Sequence, residues 1–253
     1  MLATERHAQL LERLAADGAL RTTAMAAAFE VTDETIRKDL EVLEQRGELV
    51  RVHGGAVPPS TPRLDLSLTE RQKVNLEAKR SIARQAAQRI RPKEIIFLDA
   101  SSTALTLTEF LPEVPLTVLT NAHNVVTALS GRDHLEVFST GGLYEMRSKS
   151  YVGLSAEASL KRYNINRMFC SATGFDLERG VSETNPRQAA FKERVIPCSG
   201  EVCFLADSSK LGTMASFFFA SAREINTLIT NFDADPTFVA ALQKIGTEVI
   251  LAP

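Results

Sequence analysis

The chain is short of cysteine, of long apolar runs and of net charge, and each shortage excludes something. Only Cys170, Cys198 and Cys203 occur among its 253 residues. They lie in or beside apolar runs ("RMFCSATG", "VCFLAD"), are odd in number and show no CxxC spacing. Reduced, buried thiols are therefore expected, not a disulfide framework or a metal site. No apolar run approaches the ~18 residues of a membrane span. Charges interrupt "MLATERHAQLLERL", where a signal peptide would carry its apolar core. A cytoplasmic protein with no membrane partner is the expectation. The formal charge of −2 and pI of ≈ 6.1 give no global sign of nucleic acid. Internal repeats and low-complexity tracts are lacking too.

What is present is an ordinary globular composition, 44% hydrophobic and 24% charged, long enough for one large domain or two ordinary ones. Residues 1 to 57 read differently from the rest. "TERHAQLLERLAADG" places Leu10, Leu11 and Leu14 on one helical face and stops at Gly18. "RTTAMAAAFEV" predicts a short helix capped by Thr22 or Thr23, with a tight break at Glu30-Val31. "TDETIRKDLEVLEQRG" predicts a third helix, capped by Thr32, with acids in its first turn where the helix dipole favours them, and closed by Gly47. "ELVRVHGGAV" suits a small hairpin or wing. The proline- and hydroxyl-rich stretch from residue 58 reads as a linker, followed by a helix over roughly residues 69 to 90. From Glu94 onward, "EIIFLD", "LTVLTN", "LEVFST", "NRMFCSAT", "VCFLAD", "INTLIT" and "EVILA" alternate with helical patterns. That alternation predicts a mainly parallel, doubly wound α/β domain covered on both faces.

On the third helix, Ile36, Leu40 and Leu43 form one inward stripe at 100° per residue, while Glu34, Arg37, Lys38 and Glu41 point outward with Thr35 at the edge. A short helix, a tight turn and a helix presenting Thr and paired cations is what major-groove reading requires. Arg37 and Lys38 reach for guanine acceptors or phosphates, Thr35 for a phosphate or a thymine methyl. Arg51 and His53 in the wing would lie near the flanking backbone or minor groove. A plain helical bundle with a solvated Arg37-Lys38 face fits the same pattern. Residues 1 to 57 also hold seven Lys/Arg against ten Asp/Glu, whereas DNA-binding domains usually carry excess positive charge. The positive charge would have to be local, with the acids on the far side.

The stretch "TIRKDLEVLEQRGELVRVHGGAV" resembles the N-terminal signature of the DeoR family of bacterial transcriptional regulators. The residues that carry the likeness are Thr35-Ile36-Arg37, Asp39-Leu40, Leu43, Gly47, Leu49, Arg51 and His53-Gly54-Gly55-Ala56. The resemblance runs through nearly the whole chain. It implies a winged helix-turn-helix domain over residues 1 to 57, a linker and start of a connecting helix over 58 to 80, and a sugar-phosphate-sensing α/β domain over 81 to 253. That second domain would resemble ribose-5-phosphate isomerase in fold. Thr22, Thr32, Thr35, Arg37, Lys38, Arg51 and His53 are then the expected contacts to double-stranded operator DNA.

The family's phosphate loop maps onto Asp99, Ala100, Ser101, Ser102 and Thr103, with Ser101 where many members have glycine. Further matching pieces are "LTN" ending at Asn121, Gly141-Gly142, "YVG", "ATGFDLERGVSETNP" and "LADSSKLG". In a parallel sheet the strand ends before Asp99, Asn121, Gly141 and Asp207 lie along one edge, so their loops can converge on one cleft. A phosphate needs backbone N–H groups, hydroxyls and a cation. Ser101, Ser102 and Thr103 supply the first two and Lys210 is the expected cation, with Arg147 and Lys192 as second choices. Asp99 and Glu183 would take sugar hydroxyls. Gln188 stands where many members have a glutamate, so a ligand-facing carboxylate there would have become a neutral amide.

A sugar-phosphate isomerase or deaminase with an added N-terminal domain is the rival reading, since Glu183, Asp207 and Lys210 are the residue types such chemistry uses. A complete DNA-reading head favours a regulator without catalytic activity. The expectation is a homo-oligomer, dimer or tetramer, that represses a carbohydrate operon. A phosphorylated sugar would control it, and no cofactor or metal is expected.

Overall fold

Leu10 and Leu14 lie one turn apart on α1 (Ala3–Asp17), and both are buried. They pack with Met25 and Phe29 of α2 (Thr22–Phe29) and with Ile36, Leu40 and Leu43 of α3 (Asp33–Gln45). The structure, a computed structural model, describes residues 3–17, 20–52, 54–57 and 67–253. Gly18, His53 and residues 58–66 lie outside the described residues. The chain divides into two units, Met1–Leu76 and Glu77–Pro253.

The first unit departs from expectation at the start of α2. No threonine hydroxyl caps it; the cap position is Arg21, at the end of β1 (Leu20–Arg21), and its side chain makes no cap bond. The Thr22 N–H donates instead to Gly54 O at 2.8 Å, which stitches the helix start to the hairpin. Glu30 ends α2 in the left-handed region at φ 54°. α3 begins as predicted, with Thr32 Oγ1 accepting from the Thr35 N–H at 3.2 Å and Asp33 and Glu34 in the first turn. The predicted wing is the antiparallel pair β2 (Val50–Val52) and β3 (Gly55–Val57), extended by β1 in the order β1-β3-β2. Gly55 is required there, because a Cβ would lie 1.8 Å from Leu20 O.

One continuous helix was expected over residues 69 to 90, and two are found. α4 (Leu68–Lys73) opens with a capping box between Ser67 and Glu70, and α5 (Leu76–Ala87) follows. Val74 leaves the helix in extended backbone and Asn75 takes φ 51°, a conformation asparagine tolerates better than most residues.

In the second unit all seven apolar runs become strands of one parallel sheet. β4 (Ile95–Leu98) is followed by α6 (Ser102–Leu107), β5 (Leu116–Thr120), α7 (His123–Leu129) and β6 (Leu135–Ser139). β7 (Leu143–Glu145) and β8 (Ser150–Val152) form a hairpin before α8 (Leu154–Leu160) and β9 (Ile165–Cys170). Then come β10 (Gly174–Asp176), β11 (Gly180–Glu183), α9 (Pro186–Val195), β12 (Ser199–Leu205) and β13 (Phe217–Ala220). β14 (Thr227–Asn231), α10 (Pro236–Lys244) and β15 (Glu248–Ala252) complete the chain. The strand order is β15-β14-β12-β9-β4-β5-β6. The chain winds outward from β4 to β6, then returns to β9 on the other flank, so the winding reverses between β4 and β9. β10, β11 and β13 form a separate antiparallel sheet.

Alternation along the central strands feeds two cores. Phe97, Met168 and Phe204 face one, with Phe175 and Phe191; Ile96, Leu98, Phe169 and Leu205 face the other. At the amino ends of the strands, Arg167 bonds Glu94 at 2.8 Å and Glu201 at 2.9 Å, while Arg89 bonds Glu201 at 2.9 Å and Glu248 at 2.8 Å. Burial alone would raise the Glu201 carboxyl, but hydrogen bonds from Arg167, Cys203, Thr227 and Arg89 hold it down at about 2. Cys170 and Cys203 are buried free thiols, pushed above their ordinary range by burial; Cys198 is only half-buried.

Candidate DNA-reading surface and effector site

The outward face of α3 carries Arg37 and Lys38, both exposed. Arg37 Nη1 lies 3.6 Å from Glu34 Oε2, a loose exposed pair that contributes little and yields readily to a phosphate. Thr35 is half-buried, its hydroxyl 2.9 Å from that of Thr32. Arg51 is half-buried on β2; its guanidinium approaches Glu44 at 3.9 Å and its backbone N–H donates to the same carboxylate at 3.0 Å. Thr22 is buried, so Thr23 is the exposed member of that pair. Arg37, Arg51, Thr22, Thr23 and Gly54 line one open cleft, which Lys73 of α4 joins. The acids are not segregated on a far side: Glu34 shares the exposed face of α3, and Asp33, Glu44 and Glu70 line the cleft. His53 lies outside the described residues.

The effector candidates gather where the winding of the sheet reverses, the place where ligands sit in open α/β sheets. Register pairs Leu98 with both Thr120 and Phe169, so Asp99, Asn121 and the turn after Cys170 leave the sheet side by side. Asp99 accepts from the Ser101 N–H at 3.0 Å and the Ser171 N–H at 3.1 Å. Lys192 Nζ sits between two carboxylates, 2.9 Å from Asp99 and 2.5 Å from Glu183, and donates to Ser171 O at 2.6 Å. Burial would lower that ammonium, but Asp99 and then Glu183 raise it above its ordinary value. Glu183 stands at the end of β11 and also accepts from the Thr173 hydroxyl at 3.0 Å. Lys210 Nζ reaches Ser171 Oγ at 2.7 Å. Ser171 therefore joins both lysines and Asp99.

Ser101 takes φ −83° and caps α6 through Ala104 N at 3.1 Å, so this chain needs no glycine there. Ser102 and Thr103 are buried behind it. Among the described residues, Thr103 Oγ1 and Asn121 Oδ1 are buried without a hydrogen-bond partner. That is costly unless something else supplies the bond. Asn121 Nδ2 donates to Tyr151 O at 3.1 Å.

Two sets of predicted residues are not drawn into this cluster. Gly141 and Gly142 follow β6 at φ 63° and 115°; a Cβ on Gly142 would lie 2.8 Å from Val152 O, so Gly142 serves the close approach of β8 and α8, whereas Gly141 faces open space. Arg147 is exposed in the β7–β8 turn. Gln188 is buried and donates to Ser150 Oγ at 2.7 Å and to Glu145 at 3.1 Å, and Asn185 donates to the same carboxylate at 2.8 Å. Burial would raise Glu145, but hydrogen bonds from Asn185, Ser148 and Gln188 hold it below its ordinary range. The amide at position 188 thus answers an acid on the hairpin. Sequence reasoning missed Ser171 and Thr173. The signal was there, since "MFCSATG" repeats the apolar run followed by hydroxyls that marks "IIFLDASST".

Comparison with known proteins matches each of the two units in turn. Residues 6–61 match the DeoR-like helix-turn-helix domain, and residues 74–232 match the DeoR C terminal sensor domain. An uncharacterized HTH-type transcriptional regulator of Bacillus subtilis, YulB, is 38% identical over 253 residues, covering 100% of this chain and 98% of its own length. The L-fucose operon activator of Haemophilus influenzae is 32% identical over 222 residues, 88% of this chain and 89% of that protein. The HTH-type transcriptional repressor GlcR of Bacillus subtilis is 29% identical over 251 residues, 99% and 97% of the two chains. With both of its units matched in order, the chain belongs to the DeoR family of transcriptional regulators.

Proposed function

We propose that the protein is a repressor of a carbohydrate-metabolism operon that leaves its operator when a phosphorylated sugar binds the sensor unit. It works in the cytoplasm as a homo-oligomer of at least two chains, each placing α3 in a major groove. Half-sites then repeat at about 34–36 Å or a multiple. The effector acts only through its difference in affinity for the two arrangements of the heads.

The observation that carries the sensor reading is the pair of buried, unsatisfied oxygens, Thr103 Oγ1 in the first turn of α6 and Asn121 Oδ1 just after β5, on the segments that leave the paired strands β4 and β5. A polyhydroxylated ligand satisfies such atoms, and the Ser101–Thr103 turn with Lys210 offers donors to its phosphate. Lys192 serves a different role: its three N–H groups are engaged by Asp99, Glu183 and Ser171 O, so it orients the two carboxylates toward sugar hydroxyls. The same engagement argues against catalysis. An isomerase or deaminase needs a carboxylate ready to take a proton, and both Glu183 oxygens already accept hydrogen bonds.

The test is a thermal-shift screen of the full chain against a panel of sugar phosphates. Binding to a duplex enriched by the protein from a random pool is measured alongside. One compound should raise the melting temperature and release the duplex. Failure of every phosphosugar to do either, or turnover of any of them, overturns the reading.

A further inference from the structure

Asp39 is an acid on the inward side of a helix whose inward stripe is otherwise apolar. Its carboxylate is buried and accepts from Arg6 Nε, from Arg6 Nη2 at 3.0 Å and from His7 Nε2 at 3.0 Å. Arg6 and His7, neighbours on α1, are themselves buried. An ionised carboxylate only accepts, so His7 donates through Nε2. Two buried charged side chains and a histidine thus join α1 to α3 at a point where three apolar residues would have packed.

Such a trio is poor evidence of stabilisation, because buried ion pairs are often matched or exceeded by apolar replacements; their best-attested use is to fix register. Ile36, Leu40 and Leu43 span about 60° of the α3 circumference, and Asp39 lies about 40° outside that arc. Apolar packing is non-directional and tolerates small rotations of a helix in its groove. A two-pronged guanidinium–carboxylate pair does not, because both N–H···O bonds must stay aligned. A rotation of ~20° would sweep a side-chain tip ~5–6 Å from the helix axis through about 2 Å. That is enough to break a base-edge hydrogen bond made by Arg37 or Lys38 while leaving a diffuse phosphate attraction intact.

We propose that Asp39, clamped by Arg6 and His7, is a positioning residue that sets the rotation of α3 about its axis. It thereby governs discrimination between DNA sequences, not strength of binding to DNA in general. This rests on the reading of α3 as the base-reading helix.

The test compares full-length variants on two probes at one fixed salt concentration: the duplex enriched by the unmodified protein and a scrambled duplex. Arg6→Met/His7→Leu/Asp39→Leu removes every charge of the trio together. It should melt near or above the unmodified protein, keep its affinity for the scrambled duplex within about threefold, and lose about tenfold or more in discrimination, the scale of one base contact. Arg6→Lys keeps the charge and loses the fork, and should lower discrimination about three- to tenfold with an unchanged salt slope. Unaltered discrimination in a folded triple variant overturns the proposal, as does a parallel loss on both probes in either variant. Should the triple variant not fold, Arg6→Lys decides by itself. Arg37→Ala/Lys38→Ala separates the two ideas: undiminished binding to both probes means that α3 does not read DNA, whatever the clamp does.

Discussion

Each unit of the chain holds a buried cluster of charges, and the two are built to opposite ends. In the head, the Asp39 carboxylate meets three donors from Arg6 and His7, and within the trio one ring nitrogen, His7 Nδ1, lacks a partner. In the sensor unit one ammonium, Lys192, is shared by two carboxylates, and Thr103 and Asn121, on the segments after β4 and β5, each carry an unsatisfied buried oxygen. The first cluster joins two helices through one carboxylate and leaves only the far ring nitrogen of His7 open. The second is fully engaged within itself, and the unused hydrogen-bonding capacity lies on Thr103 and Asn121, which follow β4 and β5. On the proposed readings, the first cluster serves the scaffold and the second lies next to a site.

The largest effect that would test this contrast is Lys192→Met. It strands two buried carboxylates and should cost about 3–5 kcal/mol of stability in urea or thermal unfolding of the full chain. Wholesale apolar replacement of the head trio should cost nearly nothing, and equal losses in the two would erase the distinction. Next, Arg37→Ala/Lys38→Ala should weaken the enriched duplex at least about 100-fold, roughly 2.7 kcal/mol, with little change in melting temperature. A matching loss of stability would make those two side chains structural.

A smaller, pH-dependent effect belongs to the other end of the sensor sheet. Glu201 titrates at about 2 in the folded chain, below its ordinary 4.5. Its contribution is present above pH 4.5 and fades as pH falls from there toward 2. Glu201→Gln should lower stability at neutral pH by about 1.5–3 kcal/mol and flatten the acid limb of a melting-temperature curve. An unchanged acid limb would remove the Arg167 and Arg89 partnership from the account. Smallest of all, Thr103→Val removes an unsatisfied hydroxyl, so stability should hold or rise slightly while effector affinity falls about tenfold. A loss of stability would show that the hydroxyl already has a partner.

The seven parallel strands were legible because strands buried on both faces read as unbroken apolar runs. The shorter antiparallel strands were not. "GFD", "GVSE", "LYE" and "SYV" are three or four residues of mixed character, and only tertiary pairing makes them strands. In the head, periodicity found Ile36, Leu40 and Leu43 but had nothing to say about Asp39, because a buried acid and a solvated one look alike until a partner 33 residues away is known. The helix over residues 69 to 90 broke at Val74-Asn75, where a buried Val74 takes extended backbone and Asn75 a positive φ, neither of which periodicity registers. Site residues on "DASST" were visible as hydroxyls after a strand. Lys192 lay within a helix pattern and gave no sign that it would bridge Asp99 and Glu183.

The central sheet carries the Arg167–Glu201 ion network at one rim and the proposed effector site at the other. β9 separates them by its six residues, on the order of 20 Å, beyond the range over which substitutions usually couple. Changes in the loops around Asp99 and Asn121 should then add independently to changes around Arg167 and Glu201. If those loops bind the effector as proposed, such a lineage is free to retune for a different metabolite without renegotiating how tightly its sheet is held.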